Sequence, residues 1–171
     1  MAVVWDELHA MHLGVFPLYV GKVFEETIRC DVYKVGTSFN AATKKVMTVA
    51  RMRGDLFAWY EKQRRENPNV PVAALTDLVP SMLHKGVFAA KAAETGSLVP
   101  FAVDLIRRHS ARIPKARLLM KSGEALLTYL RITRGNPRNL RVNVQQDGVI
   151  LAECVIFVSS FGLWGPPPKT M

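Results

Sequence analysis

The sequence predicts a mainly helical domain over residues 1–135, followed over residues 136–171 by a β-hairpin and an extended apolar tail. Apolar residues recur at helical spacing through most of the first part. Gly135, Asn136 and Pro137 then stop the last helix, because Gly and Pro are poor helix formers. Beyond them apolar and polar residues alternate, which is the period of a β-strand.

Helical periodicity, interrupted by Gly and Pro, predicts five helical segments in the first part. They span residues 8–35, 41–66, 76–84, 88–109 and 115–133. The first is expected to kink or break near Phe16, because Gly14 and Pro17 interrupt its pattern. Ser38 is expected to cap the second, and Pro100 is expected to bend or divide the fourth.

The C-terminal part is predicted to form a hairpin around Asp147-Gly148, a dipeptide that favours a tight turn. The apolar stretch at residues 149–164 would reach about 24 Å as a helix, less than the ~30 Å hydrocarbon core of a membrane. Glu153 in its middle would also be costly there. A buried strand or hairpin is therefore expected, and contact with a membrane is not.

Composition excludes several classes of protein. With 171 residues, of which 49% are apolar, the chain can bury a core, so disorder throughout is excluded. Two cysteines, Cys30 and Cys154, cannot form a disulfide framework and fit free thiols in a reducing compartment. The first residues do not have the pattern of a secretory signal. The expected location is intracellular and, for a DNA-binding chain, nuclear.

Two blocks of sequence carry the net charge of +9. Residues 34–66 hold eight basic and three acidic residues, and residues 111–141 hold eight basic residues and one acidic residue. Clustered Lys and Arg attract polyanions, because each neutralised phosphate releases condensed counterions. The blocks therefore predict a nucleic-acid surface, with a solvated helix face as the alternative. The candidate contact residues are Lys44, Lys45, Arg51, Arg64, Arg65 and Arg117 in these blocks, with Arg107 and Arg108 just before the second block.

One acidic residue and two histidines lie at helical spacing near the start of the sequence. On a helix, Asp6, His9 and His12 share a face about 120° wide. A carboxylate and two imidazoles are a suitable ligand set for a divalent metal ion. The alternative is that Asp6 caps the helix while the histidines lie at its edge.

Residues 6–15, with the sequence DELHAMHLGV, resemble an Asp-x-x-His…Leu-Gly-Val motif of transposase-like open reading frames in mobile elements. Such frames are abundant in dinoflagellate genomes and are related to CACTA-type cut-and-paste transposases. The resemblance continues through Trp59-Tyr60 and residues 91–95 and 98–100. It covers residues 5–133 as a series of short motifs.

This resemblance implies a nuclease of the RNase H fold, in which three acidic residues hold two Mg²⁺ or Mn²⁺ ions for attack on a phosphodiester. Asp6 would be the second acid, Glu94 the third and His9 a motif residue. The strand that carries the first acid would precede Asp6, which only five residues precede here. A fragment that binds DNA without cutting it is therefore expected. For Glu94 the alternative is a surface ion pair with Lys91.

Three hypotheses follow from these patterns. The first is a transposase-derived domain that binds DNA without catalysis. The second is a helical module that binds nucleic acid or a partner, and in which residues inherited from a catalytic ancestor have no role. The third is a structural subunit that docks a protein partner through its apolar tail. This third hypothesis depends on four large apolar residues in the tail, Phe157, Phe161, Leu163 and Trp164. The sequence favours the first hypothesis.

Overall fold

The computed structural model describes residues 8–36, 38–69 and 73–135, and it confirms the mainly helical class. The described elements are a π-helical segment Leu8–Val15, helix α1 Phe16–Arg29, helix α2 Ala41–Glu66, strand β1 Leu83–His84, strand β2 Val87–Phe88, helix α3 Ala92–Arg108 and helix α4 Ala116–Gly135. Short 3-10 turns, Pro80–Met82 and Ser110–Arg112, precede β1 and α4. The hairpin and tail predicted at residues 136–171 lie outside the described residues.

The first helical stretch changes geometry at the break that the sequence predicts. The chain passes from a π-helical to an α-helical conformation between Val15 and Phe16. Pro17 is the second residue of α1 and has no backbone N–H, so the regular hydrogen-bond pattern of the helix is interrupted where the geometry changes.

Helix α1 ends at Arg29, so the prediction that it extends to residue 35 is wrong. Asp31 has a left-handed backbone angle, with φ of 43°, and the Val32 N–H donates a 3.2 Å hydrogen bond to the Thr27 carbonyl. This is the geometry of a Schellman ending, which turns the chain out of a helix. The sequence conceals it, because glycine usually occupies the left-handed position.

Helix α2 has the predicted bounds, but its N-cap is Asn40 and not Ser38. The Asn40 Oδ1 atom accepts a 2.8 Å hydrogen bond from the Thr43 N–H. A capping side chain must lie directly before the first helical turn to reach such an N–H group, and Ser38 lies two residues too early.

The prediction of a helix at residues 76–84 is wrong, because this segment ends in a 3-10 turn and a strand. Pro80 begins the turn, and a residue that precedes proline disfavours α geometry. Strands β1 and β2 then pair antiparallel, through Leu83 with Phe88 and His84 with Val87. Lys85 and Gly86 form the tight turn between them with φ of 49° and 75°, as a type I′ turn requires.

Helix α3 is the most deeply buried helix of the described chain. It begins at Ala92, later than predicted because β2 occupies the preceding residues, and Pro100 does not divide it. Its buried apolar residues are Leu98, Val99, Phe101, Ala102, Val103, Leu105 and Ile106. A helix that is apolar on nearly all sides belongs in the centre of a domain. Helices α1 and α4 pack against it.

Aromatic rings join α3 to α1 and α2, and α1 to β2. The Phe24 ring of α1 lies 5.5 Å from the Phe88 ring of β2 and 6.1 Å from the Phe101 ring of α3, measured between centroids. The Trp59 ring of α2 lies 6.0 Å from the same Phe101 ring. All three pairs have the edge-to-face geometry that aromatic rings prefer. Phe101 is therefore a common contact for α1 and α2.

Glycines allow α1 to approach two neighbours closely. A Cβ atom at Gly21 would lie 2.4 Å from the Gly86 carbonyl oxygen in the hairpin turn. A Cβ atom at Gly123 of α4 would lie 2.1 Å from the Tyr19 hydroxyl. That buried hydroxyl donates a 3.1 Å hydrogen bond to the Leu119 carbonyl. Burial raises the pKa of Tyr19 well above its usual range, so the hydroxyl keeps its proton and remains a donor.

We predict opposite effects for two Gly→Ala substitutions in helices. Gly21→Ala should lower the free energy of unfolding by about 1–3 kcal/mol, because the new methyl group meets hairpin backbone. Gly54→Ala should raise it by about 0.5–1 kcal/mol, because Gly54 lies inside α2 with open space around it. Urea unfolding followed by circular dichroism measures both, and equal stabilities for the two variants would contradict the close approach of α1 to the hairpin.

Candidate nucleic-acid interface

The predicted metal ligands lie largely outside what the structure describes. Asp6 is not among the described residues, and His9 and His12 belong to the π-helical segment with only their backbone described. In the described part of the chain, no three His, Cys, Asp or Glu side chains lie close enough together to hold a metal ion. The ligand set and its Mg²⁺ or Mn²⁺ ion stay a prediction.

Glu94, the other predicted catalytic acid, lies in the first turn of α3. Its Oε2 atom accepts a 3.2 Å hydrogen bond from the Lys91 backbone N–H. A carboxylate here satisfies a backbone donor that the helix leaves unpaired. Its negative charge also interacts favourably with the positive end of the helix dipole. The contact with Lys91 is thus a helix cap through the backbone, in place of the ion pair that was the alternative. The pairing of Glu94 with Asp6 lies outside the described residues.

The C-terminal half of α2 is largely neutralised by its own acids. Arg64 forms an ion pair with Glu61, and the Arg65 Nε atom donates a 3.3 Å hydrogen bond to the Glu61 carbonyl. Lys62 lies 3.8 Å from a Glu66 carboxylate oxygen. Such exposed pairs add little stability, but they reduce the positive potential that a phosphate would meet.

In the N-terminal half of α2, two of the predicted contact residues form hydrogen bonds to backbone carbonyls of the same chain. The Lys45 ammonium donates a 2.9 Å hydrogen bond to the Leu83 carbonyl of β1. The Arg51 guanidinium donates to the Tyr33 carbonyl in the loop after α1. Lys44 has neither an ion pair nor a side-chain hydrogen bond to any residue that the structure describes.

The densest positive charge lies where α3 connects to α4. Residues 105–123 contain six exposed cations and no acidic residue. We call this set the α3–α4 basic surface; its members are Arg107, Arg108, Arg112, Lys115, Arg117 and Lys121. Three of the predicted contact residues belong to it, namely Arg107, Arg108 and Arg117. These are the last three of the eight predicted residues along the chain.

The two acids that flank this run, and one acid of α2, reach at least two members of this surface. The Arg107 guanidinium lies 3.6 Å from the Glu124 carboxylate. The Arg108 guanidinium lies 2.9 Å from the Asp104 carboxylate and 3.0 Å from the Asp55 carboxylate of α2. For Arg117, no acidic partner lies in the described part of the chain. The surface thus keeps an excess of positive charge.

Two arginines, Arg51 of α2 and Arg112 of the second 3-10 turn, hold the loop at residues 30–36 in place. The Arg112 guanidinium donates a 2.8 Å hydrogen bond to the Val32 carbonyl, next to the bond from Arg51 to the Tyr33 carbonyl. The Tyr33 hydroxyl donates a 2.8 Å bond to the Asp55 Oδ2 atom, which also accepts from Arg108. Burial and this carboxylate raise the pKa of Tyr33 well above its usual range. The loop therefore joins the basic surface to α2.

Sequence analysis missed several residues of this arrangement. Arg112, Lys115 and Lys121 complete the basic surface, and the acid-free run at residues 105–123 is a signal that could have found them. The links of Tyr33 to Asp55 and of Asp55 to Arg108 span 22 and 53 residues, and no local pattern indicates contacts at such separations.

Comparisons of the chain with models of protein families, with curated proteins and with solved structures find no match. Among the helices that the structure describes, none has the length and apolar character needed to cross a membrane.

The Tyr33–Asp55 contact gives a prediction for stability. Tyr33→Phe should lower the free energy of unfolding by about 1–2 kcal/mol, because a hydrogen bond to a charged group is lost in a partly buried place. Asp55→Asn should weaken the contacts with both Tyr33 and Arg108. Urea unfolding of the two single variants and the double variant tests this, and purely additive losses would contradict a shared contact.

His109, beside this loop, gives a prediction for pH. Its ring lies 6.0 Å from the Tyr33 ring, and its buried Nε2 atom has no hydrogen-bond partner in the described chain. Burial first, and then the charge of Arg108, lower the pKa of His109; Arg112 adds to this, while Asp55 and Asp104 oppose it.

Since the folded state favours neutral His109, the stability that depends on it is complete above the unfolded pKa of about 6.5. It is lost as the pH falls from that value through the lowered pKa of the folded protein. His109→Gln should therefore flatten the decline in stability between about pH 7 and pH 5. Thermal unfolding at a series of pH values measures it, and parallel curves for the variant and the wild type would contradict the prediction.

Proposed function

We propose that this chain is a nucleic-acid-binding domain without catalysis, and that the α3–α4 basic surface is its contact with phosphates. The observation that carries the proposal is the run of exposed cations at residues 105–123, which contains no acidic residue. The run passes from the end of one helix through a short turn to the start of the next. Its charges therefore lie around one corner of the domain.

The chemistry of these side chains supports phosphate as the ligand. A guanidinium presents five N–H donors in a fixed plane, so it can bond a protein oxygen and a phosphate together. Arg112 uses one terminal nitrogen on the Val32 carbonyl and remains exposed. Fixing the guanidinium in this way lowers the entropy that it would lose when it binds a phosphate.

The non-catalytic part of the proposal is supported by Glu94, whose carboxylate caps α3. DNA is the preferred nucleic acid because of the resemblance to transposases, which remains a prediction from short motifs. The proposed contact with phosphates does not depend on that ancestry. The alternative partner surface, the apolar tail at residues 136–171, lies outside the described residues.

Charge reversal on two helices tests the proposal with a matched control. Arg117→Glu together with Lys121→Glu reverses two exposed charges on α4, and Arg64→Glu together with Arg65→Glu makes the same change in net charge on α2. The α4 variant should bind a duplex of about 20 base pairs at least about tenfold more weakly and lower the salt slope by about 2, because two phosphate contacts are lost. The α2 variant should lose less than about threefold.

Fluorescence anisotropy between about 50 and 200 mM KCl measures these affinities for the full chain. Equal losses in both variants would mean that net charge alone drives binding and that the α3–α4 surface is not the site. Unchanged affinity in both would reject nucleic-acid binding through these blocks. DNA cleavage in Mn²⁺ that Glu94→Gln abolishes would overturn the non-catalytic part.

A further inference from the structure

A groove of about 520 Å³ lies along α1, away from the cations of the α3–α4 basic surface. Three elements form its walls: α1, the N-terminal part of α2 and the hairpin. Its apolar lining comes from Gly21, Ile28, Leu83 and Gly86. The volume falls within the range of about 300–1,000 Å³ that is typical of small-molecule sites.

The acidic residues in the groove are already paired with cations from the same helix. The Glu25 carboxylate bonds the Lys22 ammonium at 2.8 Å, and the Glu26 carboxylate bonds the Arg29 guanidinium. These pairs are three residues apart on α1, so helix geometry brings them together. They contribute no net charge to the groove.

Two further lysines line the groove, and neither has a carboxylate partner in the described part of the chain. The half-buried Lys45 ammonium bonds the Leu83 carbonyl at 2.9 Å, which orients it between α2 and the hairpin. An ammonium has three donors, so two N–H bonds remain for a ligand. Lys85 is exposed in the hairpin turn at φ of 49°, a backbone conformation that Asn, Asp and Gly adopt more readily.

We propose that this groove binds a small organic anion with an apolar body, whose acidic group pairs with Lys45 and Lys85. Five of the nine lining residues are charged, and among them Lys45 and Lys85 are the two that no carboxylate of the described chain neutralises, while Ile28 and Leu83 supply the apolar contact. The walls are held by the contacts that fix the hairpin: the close approach of Gly21 to the Gly86 carbonyl and the packing of Phe24 on Phe88. The inference is independent of nucleic-acid binding.

Three probes separate the parts of this proposal in an NMR titration of the full ¹⁵N-labelled chain. 4-Phenylbutyrate has an apolar body and a carboxylate, 4-phenylbutan-1-ol has the same body without the charge, and inorganic phosphate has charge without the body. The Gly21 and Gly86 backbone amides report directly on the groove. We expect 4-phenylbutyrate to shift both signals saturably and to bind at least about tenfold more tightly than either other probe. The alcohol lacks the charge-assisted hydrogen bond, and phosphate lacks the apolar body.

Charge-matched variants then locate the acidic group. Lys45→Met should weaken 4-phenylbutyrate binding roughly tenfold, and Lys85→Met should also weaken it, since both ammonium groups line the groove. Lys91→Met removes one exposed cation outside the groove and should leave the affinity within about twofold. Lys85→Met keeps the test decisive if loss of the Lys45–Leu83 bond disturbs the hairpin.

Several results would overturn the proposal. Equal affinity for the alcohol would show that the lysines do not contribute to binding. Equal affinity for inorganic phosphate would show that the apolar lining does not contribute. Shifts confined to the α3–α4 basic surface would show adventitious anion binding only. None of these results bears on the duplex-binding experiment, so the two proposals fail separately.

Discussion

The fold depends on how closely α1 approaches its neighbours. Its two glycine contacts, Gly21 against the hairpin and Gly123 of α4 against the Tyr19 hydroxyl, leave no room for a Cβ atom. They place the Phe24 ring against both Phe88 and Phe101, so that the hairpin and α3 share one aromatic cluster. Both the groove beside the hairpin and the loop after α1 follow from this position. Small residues thus determine where the large ones pack.

The sequence predicted the helices well where local rules decide them. Periodicity gave both ends of α2, and Pro17 marked the change from π to α geometry. Local rules failed where a tertiary contact or an unusual residue decides the outcome. Asp31 ends α1 in a position that usually belongs to glycine. The segment at residues 76–84 forms a turn and a strand because Pro80 disfavours α geometry before it and because β1 packs against α1, a contact that helical spacing does not indicate.

The candidate interface was predictable in composition but not in arrangement. The basic blocks are evident in the sequence, yet a charge count treats every arginine alike. In the structure, Arg64 is neutralised by Glu61, Arg51 bonds a loop carbonyl, and Arg117 has no acidic partner in the described chain. The contacts that decide this range from three residues apart, as with Arg64 and Glu61, to fifty-three, as with Arg108 and Asp55. Only the short-range pairs follow from helix geometry.

The hydrogen bond from Tyr19 to the Leu119 carbonyl joins residues that are 100 positions apart. During synthesis, therefore, α1 leaves the ribosome long before α3 and α4 exist to cover its apolar side. At about 5–20 residues per second, the delay is on the order of 5–20 s. Through that interval Phe16, Val20 and Phe24, all fully buried in the finished fold, have no native partner from the later helices. The growing chain thus carries an uncovered apolar helix face until α3 and α4 are complete.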